Sequence, residues 1–236
     1  YGTATTPVLF SFQGVTSSVN LHSLTLGPTV AGGIANPGDQ EVYTFVGTPG
    51  MRVLYDAQDA DNLPINARLL TPSGGTLWER NSDADVEPFT LVDAGTYSLV
   101  IDGNGSATGP YKFRLLDASK LAVLPLDTIV SDTLSPGISA KVYRFEGTAG
   151  QHLYLDGLGA NSGGSWYLYG PNNALIISAS IGGDFETTLL LNGTYLLAAW
   201  GSNLGGPLPF SVQVLTSDLV PGSLALGSTI SGAVAE

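Results

Sequence analysis

The chain has 236 residues with a formal net charge of −12, 43% hydrophobic and 12% charged residues, 31 Gly, 14 Pro and no Cys. The missing Cys excludes thiolate nucleophiles, thiolate metal sites and disulfides. Eight Lys and Arg against twenty Asp and Glu argue against nucleic acid and anionic membrane surfaces, whose phosphates need clustered cations.

The hydrophobic share suffices to bury a core, and no apolar run approaches the roughly 18 residues of a membrane-spanning helix. The first residues show no basic stretch followed by an apolar one, so the chain is expected to start inside a longer protein rather than at a secretory leader.

In chain order, Phe10-Ser11-Phe12-Gln13 returns as Phe210-Ser211-Val212-Gln213 at an offset of 200, and Leu24-Thr25-Leu26-Gly27 returns as Leu224-Ala225-Leu226-Gly227. Residues 1–22 are therefore expected to carry the last strand of a preceding repeat, and residues 219–236 the first strand of a following one. Between them, apolar and polar residues alternate at period 2, the mark of half-buried strands. Strands are expected near residues 29–34, 41–46, 52–57, 66–70, 76–80, 87–91, 95–102 and 111–116. Tyr43 and Phe45 share one face; so do Tyr97, Leu99 and Ile101, and Tyr111, Phe113 and Leu115. The breaks carry turn residues: Pro37-Gly38-Asp39, Thr48-Pro49-Gly50, Pro72-Ser73-Gly74-Gly75 and Asp102-Gly103-Asn104-Gly105.

The same frame recurs about 100 residues on. Val42-Tyr43-Thr44-Phe45-Val46-Gly47-Thr48-Pro49-Gly50 becomes Val142-Tyr143-Arg144-Phe145-Glu146-Gly147-Thr148-Ala149-Gly150; Gly95-Thr96-Tyr97 becomes Gly193-Thr194-Tyr195. Such self-similarity signals a repeat architecture. Two whole repeats follow, residues 23–120 and 121–218. The expected fold is all-β: tandem antiparallel β-sandwiches of jelly-roll or Greek-key type. The linkers near 117–124 and 216–223 are short, which predicts a semi-rigid string.

These turns and strands, from Pro37-Gly38-Asp39 through Tyr43-Thr44-Phe45, Gly47-Thr48, Asp56, Pro72 and Gly95-Thr96-Tyr97 to Tyr111-Lys112-Phe113, resemble the bacterial pre-peptidase C-terminal (PPC) domain. The second repeat departs from that pattern, with Ile138-Ser139 where the first has Asp39 and Ala199-Trp200 where it has Ile101-Asp102. The resemblance implies β-sandwich modules of secreted or cell-surface bacterial proteins, some relatives of which bind calcium, protein or polysaccharide. It supplies no catalytic residue.

Catalytic constellations are sparse. The two histidines, His22 and His152, accompany no Gly-x-Ser-x-Gly elbow. Asp85 and Glu87, repeated as Asp184 and Glu186, lie two apart on a strand and face one side, a spacing glycosidases also use; a solvated strand entry is the plainer reading. Calcium needs six to eight oxygens, and the loops holding Asp56, Asp59, Asp61, Asp83 and Asp85 are the candidate ligands, most of them lost from the second repeat at 156–161. Trp166, Tyr167 and Tyr169 cluster on one strand as a candidate carbohydrate platform, with core packing as the competing reading. Asn104-Gly105-Ser106 and Asn192-Gly193-Thr194 match the glycosylation pattern and read as turns.

The sequence thus points to non-catalytic structural or interaction repeats of a large extracellular or cell-surface bacterial protein, an adhesin stalk or fibre subunit. The alternative is a carbohydrate- or matrix-binding accessory module of a secreted hydrolase. Expected partners are neighbouring repeats, further copies added by strand pairing at an open sheet edge, and polysaccharide or matrix.

Overall fold

The computed structural model describes residues 16–159 and 163–217, with residues 11, 14, 227 and 229 besides. The matching end segments, Phe10–Gln13 and Leu224–Gly227, fall almost wholly outside the described residues. The first sandwich comprises β1 (Val19–Ser23), β2 (Val30–Ile34), β3 (Gln40–Gly47), β4 (Arg52–Ala57), β5 (Ile65–Leu70), β6 (Thr76–Asn81), β7 (Val86–Thr90), β8 (Gly95–Gly103) and β9 (Gly109–Asp117). A 3-10 turn, Ala118–Lys120, leads to the second. That comprises β10 (Ala122–Val123), β11 (Ile129–Leu134), β12 (Ala140–Gly147), β13 (His152–Gly157), β14 (Gly164–Tyr169), β15 (Leu175–Ser180), β16 (Phe185–Thr188), β17 (Gly193–Gly201) and β18 (Leu208–Ser217).

Each sandwich has one five-stranded and one four-stranded sheet. The orders are β1-β3-β8-β5-β6 over β2-β9-β4-β7, and β10-β12-β17-β14-β15 over β11-β18-β13-β16, the same topology strand for strand. All eight strands expected in the first repeat are present within two residues at either end. The exception to antiparallel pairing is the leading strand of each sandwich: β1 runs parallel to β3, and β10 parallel to β12. The boundary expected at residue 23 therefore needs correction. Val19–His22 hydrogen-bond into the first sandwich, not a preceding one, and His22 lies on β1 opposite Tyr43.

Alternation builds the cores. On β5, Ile65, Ala67 and Leu69 are buried while Asn66, Arg68 and Leu70 are half-buried. Tyr43, Phe45, Tyr55, Tyr97, Tyr111 and Phe113 meet between the two sheets of the first sandwich; Tyr143, Phe145, Trp166, Tyr195 and Phe210 do so in the second. The repeated Gly-Thr-Tyr forms a corner in both. The Tyr97 hydroxyl donates to the Asp93 carbonyl (3.0 Å) and accepts from the Asp93 N–H (3.1 Å); Tyr195 does the same with Leu191 at 2.7 and 3.2 Å. Gly47 closes the same corner, because a Cβ there would lie 2.6 Å from Leu91 and Tyr97.

Two strands break the alternation. Val53 through Ala57 of β4 and Tyr195 through Ala199 of β17 are buried without a gap. Such runs belong to strands covered on both faces. Here one face meets its own core, and the other meets the neighbouring sandwich. Leu54, Leu116 and Ala118 pack against Ala140, Val142, Tyr169, Leu196 and Ala198 in a third apolar cluster that joins the two modules.

Candidate functional site

The joint is organised by a buried ion pair. Asp56 on β4 accepts from Arg114 of β9, by Nε at 2.7 Å and by a terminal guanidinium nitrogen, and from the Gln58 amide at 3.1 Å. Its other oxygen accepts the Ala140 N–H of the second sandwich at 2.9 Å, and Arg114 donates to the Ala140 carbonyl at 2.7 Å. The pair thus satisfies both backbone groups of the first residue of β12.

Comparison of the repeats explains why that residue is open. In the first sandwich the equivalent Gln40 pairs with Val19 of β1 and donates its N–H to the Ser18 carbonyl (2.9 Å). Asp39 anchors that strand by accepting from the Ser18 N–H at 2.8 Å, a bond that holds its carboxyl below the usual range. The second repeat has Ser139 instead, and β10 covers only Tyr143 and Arg144. Asp56 and Arg114 stand where a strand backbone would be. Arg52 adds bonds to Asn173 Oδ1 (2.7 Å), the Thr194 carbonyl (2.7 Å) and the Gly170 carbonyl (2.9 Å), and the Asn173 amide donates to Thr90.

The five carboxylates expected to gather as a calcium site are divided. Asp56 is committed to the joint. Asp85 caps the edge of β4 by accepting from the Ala57 N–H at 2.7 Å. Burial, reinforced by the charge of Asp56, pushes the Asp85 carboxyl up to about 8. Asp59 is pushed up to about 6 by burial, with Asp61 and Asp83 adding repulsion. Asp59 Oδ2 and Asn81 Oδ1 are buried oxygens without a hydrogen-bond partner. Among the described residues, no three His, Asp or Glu side chains converge to hold a metal ion. Asp184 repeats the role of Asp85 by accepting from the Gly157 N–H and the Tyr154 hydroxyl. His22 stacks on Tyr43 with ring centroids 4.7 Å apart and bonds to Glu41, while His152 contacts Thr188 and Glu186.

The expected aromatic platform is also redistributed. Trp166 is fully buried, its indole N–H donating to the Ile181 carbonyl (3.0 Å) and its ring edge-on to Phe210; it offers no face to a ligand. Tyr169 is buried in the joint. Tyr167 is half-exposed, stacked on Tyr169 at 6.3 Å and edge-on to Trp200 at 6.4 Å. These three rings, with Asp85 and Glu87 of the first sandwich and Ser165, line a cleft of about 340 Å³ at the margin of the joint. A second cleft of about 620 Å³ is lined by Arg52, Lys120 and Arg144, but Arg52 and Arg144 already donate to backbone carbonyls. Sequence spacing could not signal the aromatic–acidic cleft, because its walls come from residues 85–87 and 165–200.

No family model and no curated protein matches the chain. Among solved structures, it is similar to the periplasmic g-type lysozyme inhibitor PliG of Aeromonas hydrophila (TM-score 0.37, 12% identity), over 43% of this chain and 99% of that one. It is similar to the pre-peptidase C-terminal domain of a Bacillus anthracis collagenase (TM-score 0.35, 16% identity), over 44% of this chain and 99% of that one. A tandem CBM22 pair from Paenibacillus barcinonensis Xyn10C is more distant (TM-score 0.21, 8% identity), over 74% of this chain and 82% of that one.

Proposed function

We propose that the chain is a pair of PPC-like, non-catalytic modules of a large secreted or cell-surface bacterial protein, and that it serves as a stiff spacer, as in an adhesin stalk or fibre. The observation that supports this is the joint: a continuous apolar cluster with Asp56 and Arg114 capping a strand of the neighbouring module. Stacked repeats gain stability from such nearest-neighbour contacts. The test is backbone ¹⁵N relaxation on the whole chain. Both sandwiches should tumble as one elongated body, and Arg114→Ala, which strands a buried carboxylate, should cost about 3–5 kcal/mol of stability and loosen the coupling. Independent tumbling of the wild-type modules would remove the spacer reading.

The second reading, an accessory module that holds polysaccharide or matrix near a secreted enzyme, is favoured by the aromatic cleft at the joint.

A further inference from the structure

The two Asn-Gly pairs of the chain, Asn104-Gly105 and Asn192-Gly193, read as turns in the sequence, and the fold holds them differently. Both asparagines are exposed, so access to solvent does not separate them. Asn104 and Gly105 lie at the tip between β8 and β9, in a turn closed by the Ala107 N–H on the Asn104 carbonyl (3.2 Å). Among the described residues, neither the Asn104 side-chain amide nor the Gly105 N–H makes a hydrogen bond. Gly105 has φ +66° and open space where a Cβ would stand.

Asn192 is tied on every side. Its side-chain carbonyl accepts the Ala149 N–H at 2.8 Å. Leu191 before it is held through both backbone groups by the Tyr195 hydroxyl. Gly193 after it opens β17 opposite Gly147, and a Cβ there would lie 3.2 Å from Pro171.

A following glycine lets the next backbone nitrogen reach an asparagine side chain, because no Cβ obstructs it and its backbone is free to turn. We propose that Asn104 is a site of spontaneous deamidation, and that the fold protects Asn192 from the same reaction. The Gly105 nitrogen gives up its proton and bonds to the Asn104 side-chain carbonyl carbon. The carbon–nitrogen bond of the amide breaks, and the nitrogen leaves as ammonia with that proton. Water then opens the cyclic imide at either carbonyl, which yields Asp or isoaspartate at position 104. Either product adds a negative charge to a chain whose formal net charge is −12, and the isoaspartate also lengthens the main chain at the turn.

The test incubates the full chain at mildly alkaline pH and follows both sites by peptide mass spectrometry, with chromatography to separate Asp from isoaspartate. Freeing Asn192 from Ala149 costs up to about tenfold in rate for the hydrogen bond alone, and unpairing Gly193 adds to it. Asn192 should therefore convert at least about tenfold more slowly than Asn104. In denaturant the two sites should convert alike, since each is an Asn-Gly pair. Asn104→Gln should leave the folded chain without a fast site, because the longer side chain closes a larger, slower-forming ring. Equal rates at the two sites in the folded chain overturn the proposal. So does a folded chain that keeps Asn104 intact while the denatured chain converts. A difference that persists in denaturant overturns the protective role of the fold.

Discussion

Asp56 on β4 and Asp85, just before the neighbouring β7, stabilise different things. Asp56 is matched by Arg114 and by a backbone N–H of the other module. Asp85 accepts one N–H and forms no ion pair among the described residues, so burial, with the Asp56 charge adding to it, raises its carboxyl to about 8 from 3.8. A carboxyl whose pKa is raised on folding binds its proton more tightly in the native state. Its contribution is therefore full below the unfolded value and is lost as pH rises through the folded one. Stability should fall between about pH 4 and pH 8, with Asp59 contributing to the lower part of that window. Asp85→Asn keeps an acceptor for the Ala57 N–H and should flatten the upper part, melting above the wild type at pH 8 and close to it at pH 5. Thermal melts across pH check this; identical slopes in the two proteins would contradict it. The separation of these side chains was hidden in the sequence. Five Asp residues between 56 and 85 read as one acidic cluster. Strand alternation instead turns Asp56 to the outer face of β4, where its partners, Arg114 and Ala140, lie 58 and 84 residues away in sequence.

Strands were the most legible level, because a two-residue period between glycine-rich turns survives any detail of pairing. Most strands from residue 29 onward show that alternation between their turns, although in the first sandwich only β5 and β6 pair as a local hairpin. β1 shows no such local signal: it pairs in parallel with a strand that follows on a connection through the other sheet, so residues 1–22 read as the end of a preceding repeat. The full burial of β4 and β17 was equally hidden, since it depends on a second module. The Gly-Thr-Tyr corner was visible as a repeated motif, and the structure supplies its reason. Tyr97→Phe and Tyr195→Phe each remove the hydroxyl that joins an N–H and a carbonyl of an exposed turn residue. Each should cost about 0.5–1.5 kcal/mol, with similar effects in the two sandwiches because the geometry is the same. Denaturant unfolding of the two variants compares them directly; a neutral result for either would mean that packing alone holds the corner.

At the scale of the whole molecule, the leading edge of each sandwich meets a different fate. In the second, the short β10 leaves Ala140 open, and the first sandwich fills that gap with Asp56 and Arg114. In the first, the longer β1 completes the sheet and is its outermost strand among the described residues, with Val19 61% and Leu21 74% exposed. An edge strand that exposes apolar side chains and carries no Lys or Pro lacks the usual defences against pairing with another chain. Val46 on the adjacent β3 is 73% exposed as well. Association through β1 should therefore appear as a rise in mean mass with concentration in light scattering. Leu21→Lys should keep the chain monomeric over the same range, because a charge on the edge must be desolvated before a second strand can pair. Leu21 is exposed and not part of the joint cluster, so the variant's melting profile should match the wild type, which separates lost association from lost folding. A wild-type chain that stays monomeric throughout would mean that copies do not add at this edge, and growth of any larger assembly would then have to run through joints of the kind that Asp56 and Arg114 make.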